Sequence, residues 1–371
     1  MCTRCVMDTS APDIAFDEQG VCNYCNDFLA RAGHILHENP ATKQARLEAF
    51  VAKLKVLGRR KPYDCVVGVS GGVDSSWVLV KAVELGLRPL AVHMDNGWNS
   101  ELAQNNIANL LRGLGVDLQT HVIDWEEYRG LMQAFFDADV IDIELLYDNA
   151  MQAVNFQQAA KVGVHYILSG SNTTSEGMTM PRSWHAFKFD KRNIFCIAKR
   201  FGASKIKSLP TVGSLERVYY ELIKNIRWTP FLDYLDYNKF EAMVALTENH
   251  HYKPYPYKHY ESIFTRFYQG FILPKKFNVD KRRLHFSTLV VAGQMDRETA
   301  LQDLQFQPYI NPESMNADKD YFLKKMKWTD EMLMNYLERP RKEHHMYGSE
   351  ERRYMALKKI YSIAKSARVN Q

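Results

Sequence analysis

Apolar and polar positions fall into two regimes along this chain. Between residues 64 and 169, short apolar runs at Asp64–Val69, Arg88–Met94, Leu118–Ile123 and His165–Ser169 alternate with longer segments. In those segments, Ser75–Leu85, Glu101–Leu114, Trp125–Phe136 and Glu144–Val162, apolar residues recur at helical spacing. The pattern predicts strands buried on both faces, in an α/β fold whose parallel sheet is covered by helices on both sides. Upstream, Leu29–Arg59 reads as helical, with Leu47, Phe50, Val51, Leu54 and Leu57 on one stripe and Gly58 near the end. Beyond Arg200 the pattern turns helical and rich in aromatics, with helices expected at Leu215–Ile226, Phe231–Leu246, Trp328–Leu337 and Glu350–Ala367. The last two carry apolar stripes (Met332, Leu333, Tyr336, Leu337; then Tyr354, Leu357, Tyr361, Ala364), as expected of helices packed by one face.

These patterns divide the chain into residues 1–28, a helical linker over 29–60, an α/β domain over 61–205 and a mostly helical region over 206–371. The last is expected to complete the substrate site.

The first predicted strand runs straight into Ser70-Gly71-Gly72-Val73-Asp74-Ser75-Ser76, and a helix follows at once. Such a turn has the parts of an anion site. Glycines let the backbone pass close to a phosphate, unpaired amides at the helix start point at it, and the helix dipole favours its charge. The serine hydroxyls can donate further bonds, and Asp74 is a candidate to help hold Mg²⁺. The lysine of a Walker A loop is missing, and so is the dinucleotide pattern G-x-G-x-x-G. The loop resembles the PP-loop of ATP pyrophosphatases, which cleave ATP between its α and β phosphates and keep the pyrophosphate there. That resemblance gives meaning to two further strand ends. Met94 and Asp95, in His93-Met94-Asp95-Asn96-Gly97-Trp98, are expected near the nucleoside half of ATP. Gly170 and Asn172, in Leu168-Ser169-Gly170-Ser171-Asn172-Thr173, are expected to border it.

Four cysteines stand as Cys2-x-x-Cys5 and Cys22-x-x-Cys25 with sixteen residues between the pairs. Four thiolates so spaced can converge tetrahedrally on structural Zn²⁺, and a segment this short would be folded by its metal. A disulfide pair and an iron–sulfur cluster are the alternatives. Asn249 to Tyr268 is crowded with His250, His251, Tyr252, Tyr255, Tyr257, His259 and Tyr260. The histidines lack the placement of a helical ligand pair, so these residues are expected to line substrate or pack.

A net charge of +5 over 48 basic and 43 acidic residues is weak for a tRNA footprint, and nucleic acid is not the expected partner. No run is long enough for a membrane span and no secretory leader is legible, so the expected location is cytoplasmic.

Taken together, the chain resembles the N-acetyl sugar amidotransferases of bacterial surface-polysaccharide biosynthesis. The resemblance rests on Cys2–Thr9, Phe16–Cys25, the PP-loop, His93–Ser100, Phe277-Asn278-Val279-Asp280-Lys281-Arg282-Arg283 and Ser287–Met295. It implies an enzyme that uses ATP to turn an acetamido group of a nucleotide-linked sugar into an acetamidino group. The nearest members act in O-antigen assembly on the 3-acetamido group of a UDP-linked 2,3-diacetamido uronic acid, and a separate glutaminase supplies their ammonia. Lys281 and Arg282 are then candidates for a second cationic contact on the phosphates, with Asp74 as the third catalytic candidate. Arg182 and His185 are candidates for the sugar carboxylate or the diphosphate. The rival reading is a tRNA-modifying PP-loop sulfurtransferase.

Overall fold

The computed structural model describes residues 1–203, 205–255, 260–309 and 311–359. Five strands form one sheet: β1 (Cys65–Gly68), β2 (Pro89–Asp95), β3 (Leu118–Val122), β4 (Tyr166–Ser169) and β5 (Arg227–Pro230). Their order is β3-β2-β1-β4-β5, and every pairing is parallel.

Alternation within the strands sorts the core into two layers. Cys65, Val67, Ala91, Tyr166 and Leu168 pack on one face with α2 (Pro40–Gly58), α3 (Val73–Glu84) and α4 (Glu101–Leu114). Val66, Leu90, Val92, Met94 and Ile167 pack on the other with α5 (Trp125–Asp137) and α6 (Leu145–Val162). Successive strand residues point to opposite faces, so continuous apolar runs feed both layers at once.

The expected helix Leu29–Arg59 is two helices, α1 (Asn23–Leu36) and α2. Pro40 starts α2 and cannot continue a helix from before it, while Asn39 caps the new end through Ala41 N at 2.9 Å. Leu215–Ile226 becomes a short helix, Ser214–Val218, with a π-helical turn after it. β5 follows where no strand is expected, because a four-residue edge strand containing Arg227 and Pro230 has little apolar signal. Phe231–Leu246 opens as a 3₁₀ turn and resumes as Lys239–His250 under an Asn238 cap. The predicted helix Trp328–Leu337 is found as Asp330–Glu338. Of the expected helix Glu350–Ala367, Tyr361 and Ala364 lie outside the described residues, as do Tyr257 and His259.

β1, β2 and β3 step in one direction across the sheet, and β4 then falls on the other side of β1. The strand order reverses between β1 and β4, where open parallel sheets bind ligands.

Candidate active site

The PP-loop leaves β1 at that reversal. Gly71 has φ +85°, and a Cβ on it would stand 2.9 Å from the Ala103 carbonyl oxygen, so only glycine fits. The Gly72 amide donates to Ser70 Oγ at 3.3 Å, and Ser75 Oγ donates to the Gly72 carbonyl at 3.2 Å. Ser70 and Ser75 hydroxyl oxygens are 3.2 Å apart. At Gly72 no side chain caps α3, which leaves the first-turn amides of Val73, Asp74 and Ser75 without helical acceptors, as an anion requires. Ser76 is buried beneath the turn.

Residues far along the chain fasten this loop. Tyr252 and Tyr255 hydroxyls both donate to the Gly71 carbonyl at 3.1 Å. Tyr237 donates to Asp74 Oδ1 at 2.5 Å, Asn172 Nδ2 reaches the same oxygen at 3.4 Å, and Lys239 Nζ lies 3.6 Å from Oδ2. Burial pushes all three tyrosine hydroxyls well above their ordinary pKa, so they stay protonated donors. These neighbours orient both carboxylate oxygens of Asp74, which also lines the cavity beside the loop. Gly170 lets the β4 loop pass directly over the PP-loop: a Cβ there would meet Asp74 C and Ser75 N at 2.9 Å. Asn172 also caps the turn after β4 through Ser175 N at 2.8 Å.

A cavity of about 550 Å³ opens beside the loop, lined by Ser70, Gly72–Ser75, Gly170, Lys239 and Tyr255. A second of about 520 Å³ holds Asn96, Asn99, Glu144, Tyr147, His185, Lys188, Phe264, Gln269 and Lys281 in its walls. Ser70, Asp148, Glu176, Glu261 and His285 line both, so the two are halves of one cleft.

The structure divides the remaining sequence candidates. His185 and Lys281 line the second half. Lys281 Nζ pairs with Glu144 Oε2 at 2.7 Å, and Gln269 Nε2 donates to the same carboxylate at 2.9 and 3.0 Å. Arg282 is turned away from both halves. Its guanidinium is taken by Asp280 at 2.7 Å and by the Asp303 carbonyl at 3.1 Å. Helix geometry explains the split. Lys281, Leu284, His285 and Thr288 follow helical spacing and face the cavity, whereas Arg282 lies about 100° round the axis. Arg182 is exposed and lines neither half. Met94 is buried in the core, and Asp95 braces its own loop by accepting from Gly97 N at 2.8 Å and Asn99 Nδ2 at 3.2 Å. His93 Nε2 lies 3.1 Å from Asn99 Nδ2 and orients that side chain in the second cavity.

Sequence reasoning missed Lys188, whose Nζ pairs with Asp142 at 2.6 Å and Asp148 at 2.7 Å. The attraction of two carboxylates holds it as an ammonium despite burial. Burial also lowers the pKa of His185, keeping it neutral. Glu144 and Asp148 stand four residues apart at the start of α6, so the expected helix already placed them on one face.

The four N-terminal thiols are fully buried, with all sulfurs within 4.8 Å of one another. Cys2 and Cys25 sulfurs are 3.9 Å apart, Cys5 and Cys22 3.7 Å. Tetrahedral Zn–S bonds of ~2.3 Å put sulfurs ~3.8 Å apart, so the set fits one such ion. Backbone amides of Cys5, Cys22 and Met7 point at the sulfurs at 3.5, 3.2 and 3.4 Å. The module docks on the reverse of the cavity wall. Ser287 Oγ accepts from Val6 N at 3.2 Å, Arg283 donates to Val6 O at 3.1 Å, and Arg297 donates to the Cys5 and Cys2 carbonyls at 3.1 and 3.0 Å.

Residues 261–361 match the family described as LPS biosynthesis protein WbpG-like, C-terminal domain. A glutamine-hydrolysing GMP synthase of Pyrobaculum aerophilum is 36% identical over 97 residues, 23% of this chain and 19% of that protein. The chain thus spans about a fifth of the length of this curated relative. Among solved structures, NMN synthetase from Francisella tularensis aligns at TM-score 0.31 and 14% identity, over 60% of this chain and 99% of its own. The NH3-dependent NAD synthetase from Campylobacter jejuni aligns at 0.30 and 15%, over 57% and 93%. The WbpG-like match thus falls on the stretch that walls the cleft beside the PP-loop sheet.

Proposed function

We propose that the chain is an ATP-dependent amidotransferase acting on a nucleotide-linked amino sugar. One observation carries this reading: the PP-loop cavity adjoins a second of similar volume, five residues line both, and the WbpG-like region supplies much of that second wall, from Glu261 to Thr288. A nucleotide and a sizeable acceptor then meet at the shared residues.

An amide carbonyl is a poor electrophile and its oxygen a poor leaving group. Attack of the acetamido oxygen on the α-phosphorus of ATP makes that oxygen part of AMP, with pyrophosphate leaving into the PP-loop. Ammonia then displaces AMP and leaves an acetamidine. Ser70, Gly71, Gly72, Val73, Ser75 and Ser76 hold the pyrophosphate through amides and hydroxyls, aided by Mg²⁺ brought with ATP. Lys188, Lys281 and His185 face the acceptor's anionic groups, and a UDP-linked 2,3-diacetamido uronic acid, reacting at its 3-acetamido group, suits them.

A separate glutaminase supplies the ammonia. Cys65 is buried inside β1, where burial raises its thiol pKa, and Cys196 lines neither half of the cleft. Zn²⁺ occupies the four-cysteine site as scaffold. No helix among the described residues is long and apolar enough to cross a membrane, and we place the reaction in the cytoplasm.

The test is incubation with Mg-ATP, ammonium chloride and that nucleotide sugar. The expected result is AMP that depends on the sugar, with a product lighter by the difference between O and NH. AMP elicited by bulk tRNA and by no nucleotide sugar would refute the reading.

A further inference from the structure

Asp148 is one of five residues shared by the two halves of the cleft, and its surroundings are built to hold a carboxylate there. It projects from the first turn of α6, an eighteen-residue helix packed under the sheet. Its Oδ2 takes Lys188 Nζ at 2.7 Å. That lysine is fixed in turn by buried Asp142, whose Oδ2 also accepts from Ala186 N at 2.7 Å. Asp148 Oδ1 makes no hydrogen bond among the described residues, and a third of the side chain is exposed to the cleft. The carboxylate is therefore oriented by one oxygen and open by the other. The charged groups acting on it are Lys188, Asp142 and Glu144, and Glu176, Glu261 and His285 line the same two cavities.

Resting on the amidotransferase reading above, we infer that Asp148 is a catalytic base that receives the incoming nitrogen and takes a proton from it. The nitrogen arrives as ammonium. One N–H bond breaks, its proton passes to Asp148 Oδ1, and the freed lone pair forms the C–N bond to the adenylated carbon. The C–O bond to AMP then breaks and its electron pair leaves on the phosphate oxygen, giving the amidinium. The proton on Asp148 returns to solvent. Partial desolvation at the cleft floor raises the Asp148 pKa above the ordinary carboxyl value while Lys188 opposes the shift, which makes the group a stronger base than a surface aspartate. Asp148 is singled out by lining both halves of the cleft while one of its oxygens is held by Lys188.

The experiment compares wild type, Asp148→Asn and Asp148→Glu with two nucleophiles. Ammonia is almost wholly protonated at neutral pH, whereas hydroxylamine is almost wholly neutral and needs no base to expose its lone pair. Asp148→Asn leaves the Asp142–Lys188 pair intact, so it is expected to fold and to keep sugar-dependent ATP–pyrophosphate exchange. Its ammonium-dependent turnover should fall ~100-fold or more, the usual range for a lost general base. Hydroxylamine turnover should stay near wild type, and Asp148→Glu should recover part of the ammonium rate. Equal loss with both nucleophiles, loss of exchange, or full ammonium turnover in Asp148→Asn would each overturn the assignment. Absence of sugar-dependent AMP in wild type would instead sink the functional reading, and the assignment with it.

Discussion

The Gly71 carbonyl offers a direct test of whether the later part of the chain fastens the PP-loop. Two phenols donate to this one buried oxygen, each at 3.1 Å. Removing either hydroxyl leaves the other bond in place, and a net hydrogen bond contributes ~0.5–1.5 kcal/mol. Removing both strands a buried carbonyl, at a further cost of ~1–3 kcal/mol. Tyr252→Phe and Tyr255→Phe should therefore each lower unfolding stability by ~1 kcal/mol, the second somewhat more because Asn106 Nδ2 also reaches the Tyr255 hydroxyl at 3.3 Å. The double variant should lose ~1 kcal/mol or more beyond the sum. Urea unfolding at a common slope reads the stabilities, and calorimetric ATP titration reads whether affinity falls in the same non-additive way. Additivity within ~0.5 kcal/mol would refute the shared-acceptor argument. Non-additive stability with unchanged ATP affinity would refute its link to the loop.

Gly170→Ala should raise the KM for ATP and lower the urea midpoint, because its Cβ meets PP-loop backbone at 2.9 Å, and overpacking of this kind costs ~1–3 kcal/mol; wild-type values for both would show that the loops separate freely. Elemental analysis should find zinc bound at the four cysteines, and Cys22→Ser should raise the KM for the sugar more than that for ATP; iron accompanied by acid-labile sulfide would contradict the single-ion geometry. His344 is held neutral by burial, which lowers its pKa to about 4, and the ring lies between Asp142 N at 3.2 Å and Asn193 Oδ1 at 2.8 Å. A folded pKa below the unfolded value of about 6.5 makes the unfolded chain bind more protons, so this contribution to stability is lost as pH falls from about 6.5 towards 4. His344→Gln should flatten the stability profile in that window, and a profile identical to wild type would rule the group out as its source.

How much of this was legible beforehand depended on the range of the interactions. The four main strands and the helices between them were readable because apolar runs and helical spacing are local, and the PP-loop because strand, glycine turn and helix start are contiguous. The break at Pro40 was overridden by the apolar stripe on both sides of it, although Asn39-Pro40 is a start signal in its own right. β5 was hidden by being short, polar and at an edge. The tyrosines that grip the loop come from 163 to 184 residues away; crowding gave notice of Tyr252 and Tyr255, and nothing gave notice of Tyr237. Lys188 lacked even that, since its role follows from carboxylates brought to it by the fold.

The basic block Asp280–Arg283 shows what a linear reading loses and how helical geometry restores it. Read as a string, Lys281 and Arg282 look equivalent. On the helix Arg282–Val291 they diverge, with Lys281, Leu284, His285 and Thr288 towards the acceptor cavity and Arg283 and Ser287 towards the cysteine module. One helix thus has a wall of the second cavity on one side and the four-cysteine segment on the other. An ion bound by the four cysteines would act on specificity here without touching substrate, because loosening Cys2–Cys25 would remove the Val6, Cys5 and Cys2 contacts that hold the wall from behind. The PP-loop backbone is fastened separately, by Tyr237, Tyr252 and Tyr255, and so is less exposed to that change. Damage at the metal should therefore appear first in the acceptor half of the cleft.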